Sequence, residues 1–328
     1  MEAKAATDEP KHCAHKWCKL LAEEGSDLCI LHQPGPKDLE RFKAALYTQL
    51  NEQGKEDERN HRFWFEGYVF PVRVVVGDKR DKAVNETIAL PAGMVRPFFG
   101  GCTLTGGADF SDHRFEGNAS FADCTFVGAA DFDGCTVVGV ADFRGTTFEK
   151  GANFRGSTFL WGTNFGGCKF SGDVCFDAAE FATNAGFVGS TFARGAEFSN
   201  AKFAGGANFN CSKYVGVTHF DNSTFAKVAN FGGCTFKEVT CFRDCRFAGV
   251  TYFDGTRFSR DADFSDCTFE AFANFDHSEF ARDAHFDGST FEKDAYFRRS
   301  RFARDPRFGD ARFVRGAHFR GSTPEGVI

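Results

Sequence analysis

Three cysteines and a histidine near the start of the chain are the residues best suited to chemistry. Cys13-Ala-His-Lys-Trp-Cys18 is followed, after ten intervening residues, by Cys29-Ile-Leu-His32. Three thiolates and one imidazole at these spacings can surround a tetrahedral divalent ion, and Zn²⁺, borderline-soft, favours that donor set. His12 and His15 are alternative imidazole donors, so spacing alone does not make the ligand set unique. The segment is too short to bury a core, so a bound ion would be what folds it. The expectation is a structural Zn²⁺ site of Cys13, Cys18, Cys29 and His32 in a knuckle over residues 1–35; the alternative is four unrelated residues in a mobile tail.

The elements that would carry such a knuckle follow at once. Pro34-Gly35-Pro36 breaks the chain, and Asp38 is placed to N-cap a helix. Leu39, Phe42, Leu46 and Leu50 recur at helical spacing, which predicts an amphipathic helix packed as a lid, with a charged linker from Glu52 to Arg62, all within residues 36–62. Residues 63–94 read as an N-terminal cap. Phe65 and Phe70, five apart, resemble the first side of a coil; Val72 to Val76 reads as a strand and Gly77 to Lys82 as a charged turn, predicting a hairpin-like insertion.

From there to the end, residues 95–328, one period governs the chain. Starting at Gly106, twenty eleven-residue units run GGADFSDHRFE, GNASFADCTFV and onward to RGAHFRGSTPE, preceded by a degenerate unit from Val95. The fifth position is Phe in all twenty; the tenth is Phe except at Val137, Tyr214 and Pro324. Two residues before each large side chain sits a small one, such as Ala108 or Ala119 in the first slot and Cys124 or Ser157 in the second. Residues two apart on extended backbone share a face, so small and large both point inward, and Gly and polar residues supply corners. A 3.6-residue period fits none of this. Phe258-Ser-Arg260-Asp261, Phe280-Ala-Arg282-Asp283 and Phe302-Ala-Arg304-Asp305 recur every 22 residues, which favours four short sides per coil. The predicted architecture is an all-β solenoid of about ten coils, on the order of 48 Å long at about 4.8 Å per coil.

These units, ADF-SDCTF or ANF-RGSTF, resemble pentapeptide repeats in their Phe-centred form, over about two thirds of the chain. The resemblance implies a right-handed quadrilateral β-helix. It also implies, from the best-understood relatives, DNA mimicry that protects or inhibits type II topoisomerases. The ending Gly25-Ser-Asp-x-Cys29-x-x-His32 is similar to that of short Cys-Cys-Cys-His knuckles, and similar N-termini occur on some pentapeptide-repeat proteins. The likeness implies a recognition or stabilising element, not a catalytic centre.

Charge and composition narrow the function classes. A net charge of −6 gives no nucleic-acid-binding footprint for the rod. Met1-Glu-Ala-Lys lacks an apolar core and no run approaches membrane-spanning length, so a soluble cytoplasmic protein without membrane contact is expected. Most of the thirteen Cys take the small inward slot; Cys245 and Cys267 would stack on adjacent coils, as buried thiols in a reducing compartment or, alternatively, as a disulfide. An enzyme needs a nucleophile, a base and a pocket together. Here His219, His277, His285 and His318 are scattered over outward or corner positions, His113 alone takes an inward slot, and Gly100-Gly101 and Gly106-Gly107 open no helix. The chain is expected to be non-enzymatic.

DNA mimicry needs a continuous negative surface. Asp109, Asp131, Asp142 and Asp263 stand on the outward position before Phe, yet neighbouring Lys and Arg nearly neutralise the rod, and its centre is Phe rather than the Leu of those relatives. Residues Arg260 to Glu292 carry −7 and Lys293 to Glu325 carry +5. Arg260, Arg282 and Arg304 beside Asp261, Asp283 and Asp305 read as an exposed ion-pair stripe, or a partner-docking one. Pro306 and Pro324 in inward slots, with many Arg, blunt the C-terminal edge, which disfavours an end-to-end homodimer. The leading expectation is a scaffold or adaptor with a protein partner, and the alternative is a DNA-mimic regulator of a type II topoisomerase or another DNA-binding protein.

Overall fold

A five- or six-residue side with one inward Phe cannot bury that ring alone; it must stack on the same side one coil away. The computed structural model describes residues 11–15, 18, 20–24, 26–35, 37–56, 62–76, 87–91, 93–94 and 96–323. It shows this stacking as four parallel sheets along one solenoid. Face I has twelve strands, from Arg62–Trp64 and Arg96–Phe98 to Ala317–His318. Face II has eleven, from Val69–Phe70 to Arg301–Phe302; face III has eleven, from Thr87–Leu90 to Ala284–His285; and face IV has ten, from Arg114–Phe115 to Arg312–Phe313. The register is 22 residues throughout the rod, as in Phe126 over Phe148 over Phe170. The expected solenoid with four sides per coil is therefore what forms.

The interior is built from ring columns. Phe209 is fully buried, stacked on Phe187 at 4.7 Å and Phe231 at 4.8 Å, and meets Phe198 and Phe220 edge-on at 5.5 and 5.4 Å. Two central columns thus interlock edge to face, the arrangement that the ring quadrupole favours.

Size explains only half of the small inward slots. In the second slot the preference for Ser, Thr and Cys is a hydrogen-bonding one. Ser157 Oγ donates to the Phe132 carbonyl at 2.8 Å, Thr146 Oγ1 to Phe121 at 2.6 Å and Cys168 Sγ to Phe143 at 2.9 Å. Each carbonyl already accepts a backbone N–H, as Phe132 does from Cys135 at 3.1 Å, so the hydroxyl or thiol serves the second lone pair. Cys245 and Cys267 act this way as free thiols, donating to Phe220 and Phe242.

Corners have their own chemistry. Two residues after each central Phe, from Asp112 to Gly321, the backbone is left-handed, which Gly, Asp and Asn tolerate best. The Asp or Asn immediately before the Phe accepts the N–H two residues on: Asp131 from Asp133 at 3.1 Å, Asn208 from Asn210 at 3.1 Å and Asp263 from Ser265 at 2.9 Å.

At the N-terminal end α1, Leu39–Glu56, covers the first coil as expected. Asp38 caps it, Oδ1 accepting the N–H groups of Glu40 and Arg41 at 3.1 Å, and Phe42, Leu46 and Leu50 are buried, with Phe42 edge-on to Phe70. The expected linker from Glu52 is helical as far as Glu56, since its Glu, Gln and Lys are good helix formers; residues 57–61 lie outside those described. The extension has a use. Gln53 bonds both the N–H and the C=O of Trp64, at 2.9 and 3.0 Å, on the outer edge of face I.

The hairpin-like insertion is corrected by the pairing. Arg73–Val76 and Thr87–Leu90 run parallel, Arg73 opposite Thr87 through Val76 opposite Leu90. Parallel strands cannot be joined by a hairpin turn. Both send alternate apolar groups inward, with Val74, Val76, Ile88 and Leu90 buried, so the second strand adds an outermost layer to face III. The turn read at Gly77 to Lys82 lies outside the described residues, as do Val95 and Pro324.

At the other end, face III stops at Ala284–His285; among the described residues the next coil, with Pro306 in its inward slot, adds only an isolated bridge from Arg307 to His285, the Arg307 N–H donating to Ala284 O at 2.9 Å. Phe308, Phe313 and Phe319 end the columns half-buried, and among the described residues no helix covers them. The Arg/Asp stripe pairs between coils, Arg304 reaching Asp283 at 2.9 Å and Arg260 reaching Glu238 at 4.0 Å. Among the described residues no helix is long and apolar enough to cross a membrane.

Candidate metal centre

Two tight turns and a short antiparallel pairing bring the N-terminal donors together. His12 bridges Leu21, the Cys13 N–H donates to Leu20 O at 2.9 Å and that of Ala22 to Lys11 O at 2.8 Å, which turns the chain back past Cys18. Beyond it, the N–H groups of His32 and Gln33 both donate to Cys29 O at 3.0 Å, folding His32 over Cys29. Lys16, Trp17 and Gly25 of the motif lie outside the described residues.

Cys13, Cys18, Cys29 and His32 place their donor atoms within 4.8 Å of one another. Cys18 Sγ is 3.5 Å from Cys29 Sγ, and His32 Nδ1 lies 3.2 Å from Cys29 Sγ and 3.5 Å from Cys13 Sγ. A tetrahedral ion with metal–sulfur bonds near 2.3 Å and metal–nitrogen bonds near 2.0 Å needs donors about 3.5–3.8 Å apart. This group could therefore hold a metal ion. His12 and His15 fall outside it; the His15 ring instead stacks on His32 at 4.1 Å.

The surroundings suit a ligand histidine. His32 Nε2 donates to the Glu66 carbonyl at 3.1 Å, which leaves Nδ1 as the lone-pair nitrogen facing the thiols. Tyr68 meets the His32 ring edge-on at 4.9 Å. The Cys18 contact holds Cys29 well below the usual thiol range against the opposing effect of burial, and it pushes Cys18 up. Burial, then the neighbouring His32, lowers His15.

This cluster is fastened to the rod. The Val69 N–H donates to Leu31 O at 2.8 Å, and Lys37 Nζ donates to Val69 O at 2.7 Å and Leu31 O at 3.3 Å while lying over the Phe42 ring. Burial pulls Lys37 down to about 8, opposed by Cys29. Gly67 permits the close approach: its φ is +71°, and a Cβ there would fall 2.6 Å from His15 Nε2. Leu31 is fully buried in the same core as the Phe columns. Glu66, Gly67 and Tyr68 escaped the sequence reading, in which they were simply part of a first coil side; the GY step inside FEGYVF was their only trace.

Comparison with known proteins adds the family. The profile described as Pentapeptide repeats (9 copies) matches residues 99–147, 124–169, 165–210, 231–279 and 275–323, more than half of the chain and all of it within the rod. No curated protein and no solved structure matches. Ring columns, four parallel faces and the matched segments agree, and the chain belongs to the pentapeptide-repeat family.

Proposed function

We propose that this chain is a non-enzymatic interaction scaffold, in which a zinc knuckle and a rigid rod act as one binding body. The observation that carries the reading is the docking of the four-donor cluster on the first coil, through Leu31, Glu66 and Val69. Cys13, Cys18, Cys29 and His32 would hold Zn²⁺; the ion would supply a cross-link between the two turns. A structural ion with four protein ligands has no open position for substrate, which suits recognition better than chemistry. The rod contributes a surface whose outward side chains vary from coil to coil. Among the described residues its most exposed large apolar side chain is Trp161, 63 % exposed at a corner beside Leu160.

The DNA-mimic reading is weaker on physical grounds. The outward Asp residues that would imitate phosphates share their ladders with Asn, as Asp131 does with Asn153 and Asp142 with Asn164, and both types make the same corner bond to the N–H two residues on. Corner geometry accounts for them without any need for charge.

The test is affinity capture from native lysate with wild type, a Cys29→Ser/His32→Ala double variant and Trp161→Ser, with bound zinc measured in each. A partner lost with the zinc supports the adaptor reading, and one lost with Trp161 places recognition on the rod. Stoichiometric inhibition of a type II topoisomerase would replace the proposal by the mimic, and turnover by the purified protein would restore an enzyme.

A further inference from the structure

Face III carries a second set of metal-binding side chains, far from the knuckle. Parallel register places Glu197 opposite His219, His219 opposite Cys241 and Cys241 opposite Asp263, all on the outward position. Asp221 stands at the corner two residues after His219, and its Oδ2 lies 3.4 Å from His219 Nδ1. The donor atoms of His219, Asp221 and Cys241 all fall within 4.8 Å of one another. A tetrahedral ion asks for spacings of about 3.3–3.6 Å between such N, O and S donors. The His–Asp pair already has that spacing, and Cys241 Sγ lies within 4.8 Å of both donors.

We infer that His219, Asp221 and Cys241 form a second, open site for a borderline-soft divalent cation, with Zn²⁺ the best fit. Thiolate and imidazole select against Mg²⁺ and Ca²⁺, which take oxygen donors. Thiolate and carboxylate together offset the charge of a dication, and the Cys241 thiol gives up its proton to solvent as it ligates. Three protein ligands leave a fourth position, and one of the three, His219, also lines the groove of about 530 Å³ that runs along face III past Cys175 and Glu197.

One neighbour competes. The Arg243 guanidinium lies 3.2 Å from Asp221 Oδ2, and its Nε lies 3.8 Å from Asp263 Oδ2. Arg243 therefore has a second carboxylate to turn to when Oδ2 of Asp221 takes the ion, while the Arg243 backbone N–H keeps Asp221 Oδ1 at 3.0 Å. Binding weaker than at a four-ligand knuckle is the consequence.

The inference does not rest on the knuckle, and the experiment separates the two. The full-length protein, stripped by chelator, is titrated with Co²⁺ and then Zn²⁺, reading bound equivalents and the thiolate-to-cobalt charge-transfer band. Wild type should bind one equivalent more than Cys241→Ala or His219→Ala, and that equivalent should persist in Cys29→Ser, whose loss is confined to the knuckle. Arg243→Gln should tighten it several-fold. Equal uptake by wild type and Cys241→Ala overturns the site, whatever the knuckle binds. Both side chains point outward, so circular dichroism of the Cys241→Ala and His219→Ala variants should match wild type.

Discussion

Tyr214 is the position where the repeat departs from Phe at a measurable cost. Its ring fills the second large slot, fully buried, stacked on Phe192 at 4.6 Å and Phe236 at 4.5 Å. Its hydroxyl is buried and has no hydrogen-bond partner among the described residues. A buried unsatisfied polar group costs about 1–3 kcal/mol. Tyr214→Phe removes that cost and keeps both stacks. The void left by one oxygen, on the order of 10 Å³, returns only about 0.2 kcal/mol at 24 cal/mol per Å³. A net gain of about 1–3 kcal/mol should follow, or a melting rise of about 2–12 °C at the 2–4 °C per kcal/mol usual for domains of this size. Urea and thermal unfolding by far-UV circular dichroism measure it. Because solenoids open coil by coil, hydrogen exchange at the Val215 N–H, bonded to Phe192 O, and the Lys237 N–H, bonded to Tyr214 O, gives the local value. A variant no more stable than wild type, with exchange unchanged or faster there, would refute the reasoning by showing that the hydroxyl is satisfied.

Three further outcomes are expected. Phe209→Ala, which deletes a ring stacked on both sides, should cost about 3–5 kcal/mol, and an unchanged melting curve would contradict its inward placement. Gly67→Ala forces a left-handed alanine against His15 and should loosen the cap by about 1–2 kcal/mol, read as faster exchange at the Val69 N–H that bonds Leu31 O. For Lys37, burial lowers the folded pKa to about 8 from 10.5, so the unfolded chain holds more protons between those values and stability rises with pH across that window. The stability of wild type relative to Lys37→Met should therefore improve from about pH 8 to about 10.5, and a flat difference would place the Lys37 ammonium in solvent.

Much of the fold was legible because the repeat states it twenty times over. Small-x-large at eleven-residue spacing requires two inward groups per side, and the 22-residue recurrence of Arg-Asp pairs gave the coil. The errors fall where the repeat is silent. At Arg73–Val76 and Thr87–Leu90 there are two apolar runs and a turn, for which a hairpin is the local solution; the parallel pairing comes from the first coil's need for a cover, a tertiary demand that no window of residues displays. The helix beyond Glu52 had local support in its helix-forming residues; what the charged run did not display is its tertiary contact, the Gln53 clamp on Trp64.

The candidate metal donors divide along the same line. Cys13, Cys18, Cys29 and His32 were readable because all four lie within twenty residues, where spacing alone suggests a turn; that His32 rather than His12 or His15 lies with the three thiols depends on Glu66 and Gly67, more than thirty residues further on. His219, Asp221 and Cys241 were not read as a group, although the period contained the answer. In a coil of 22 residues, positions i and i+22 are as close as neighbours on adjacent strands, about 4.8 Å apart. Once the coil length is known, His219 and Cys241 cease to be scattered and become a pair, and Asp221 joins them because a corner turns the chain back within two residues. Scatter along a solenoid sequence has to be judged modulo its coil, and by that measure the outward face of this rod holds chemistry that its linear order conceals.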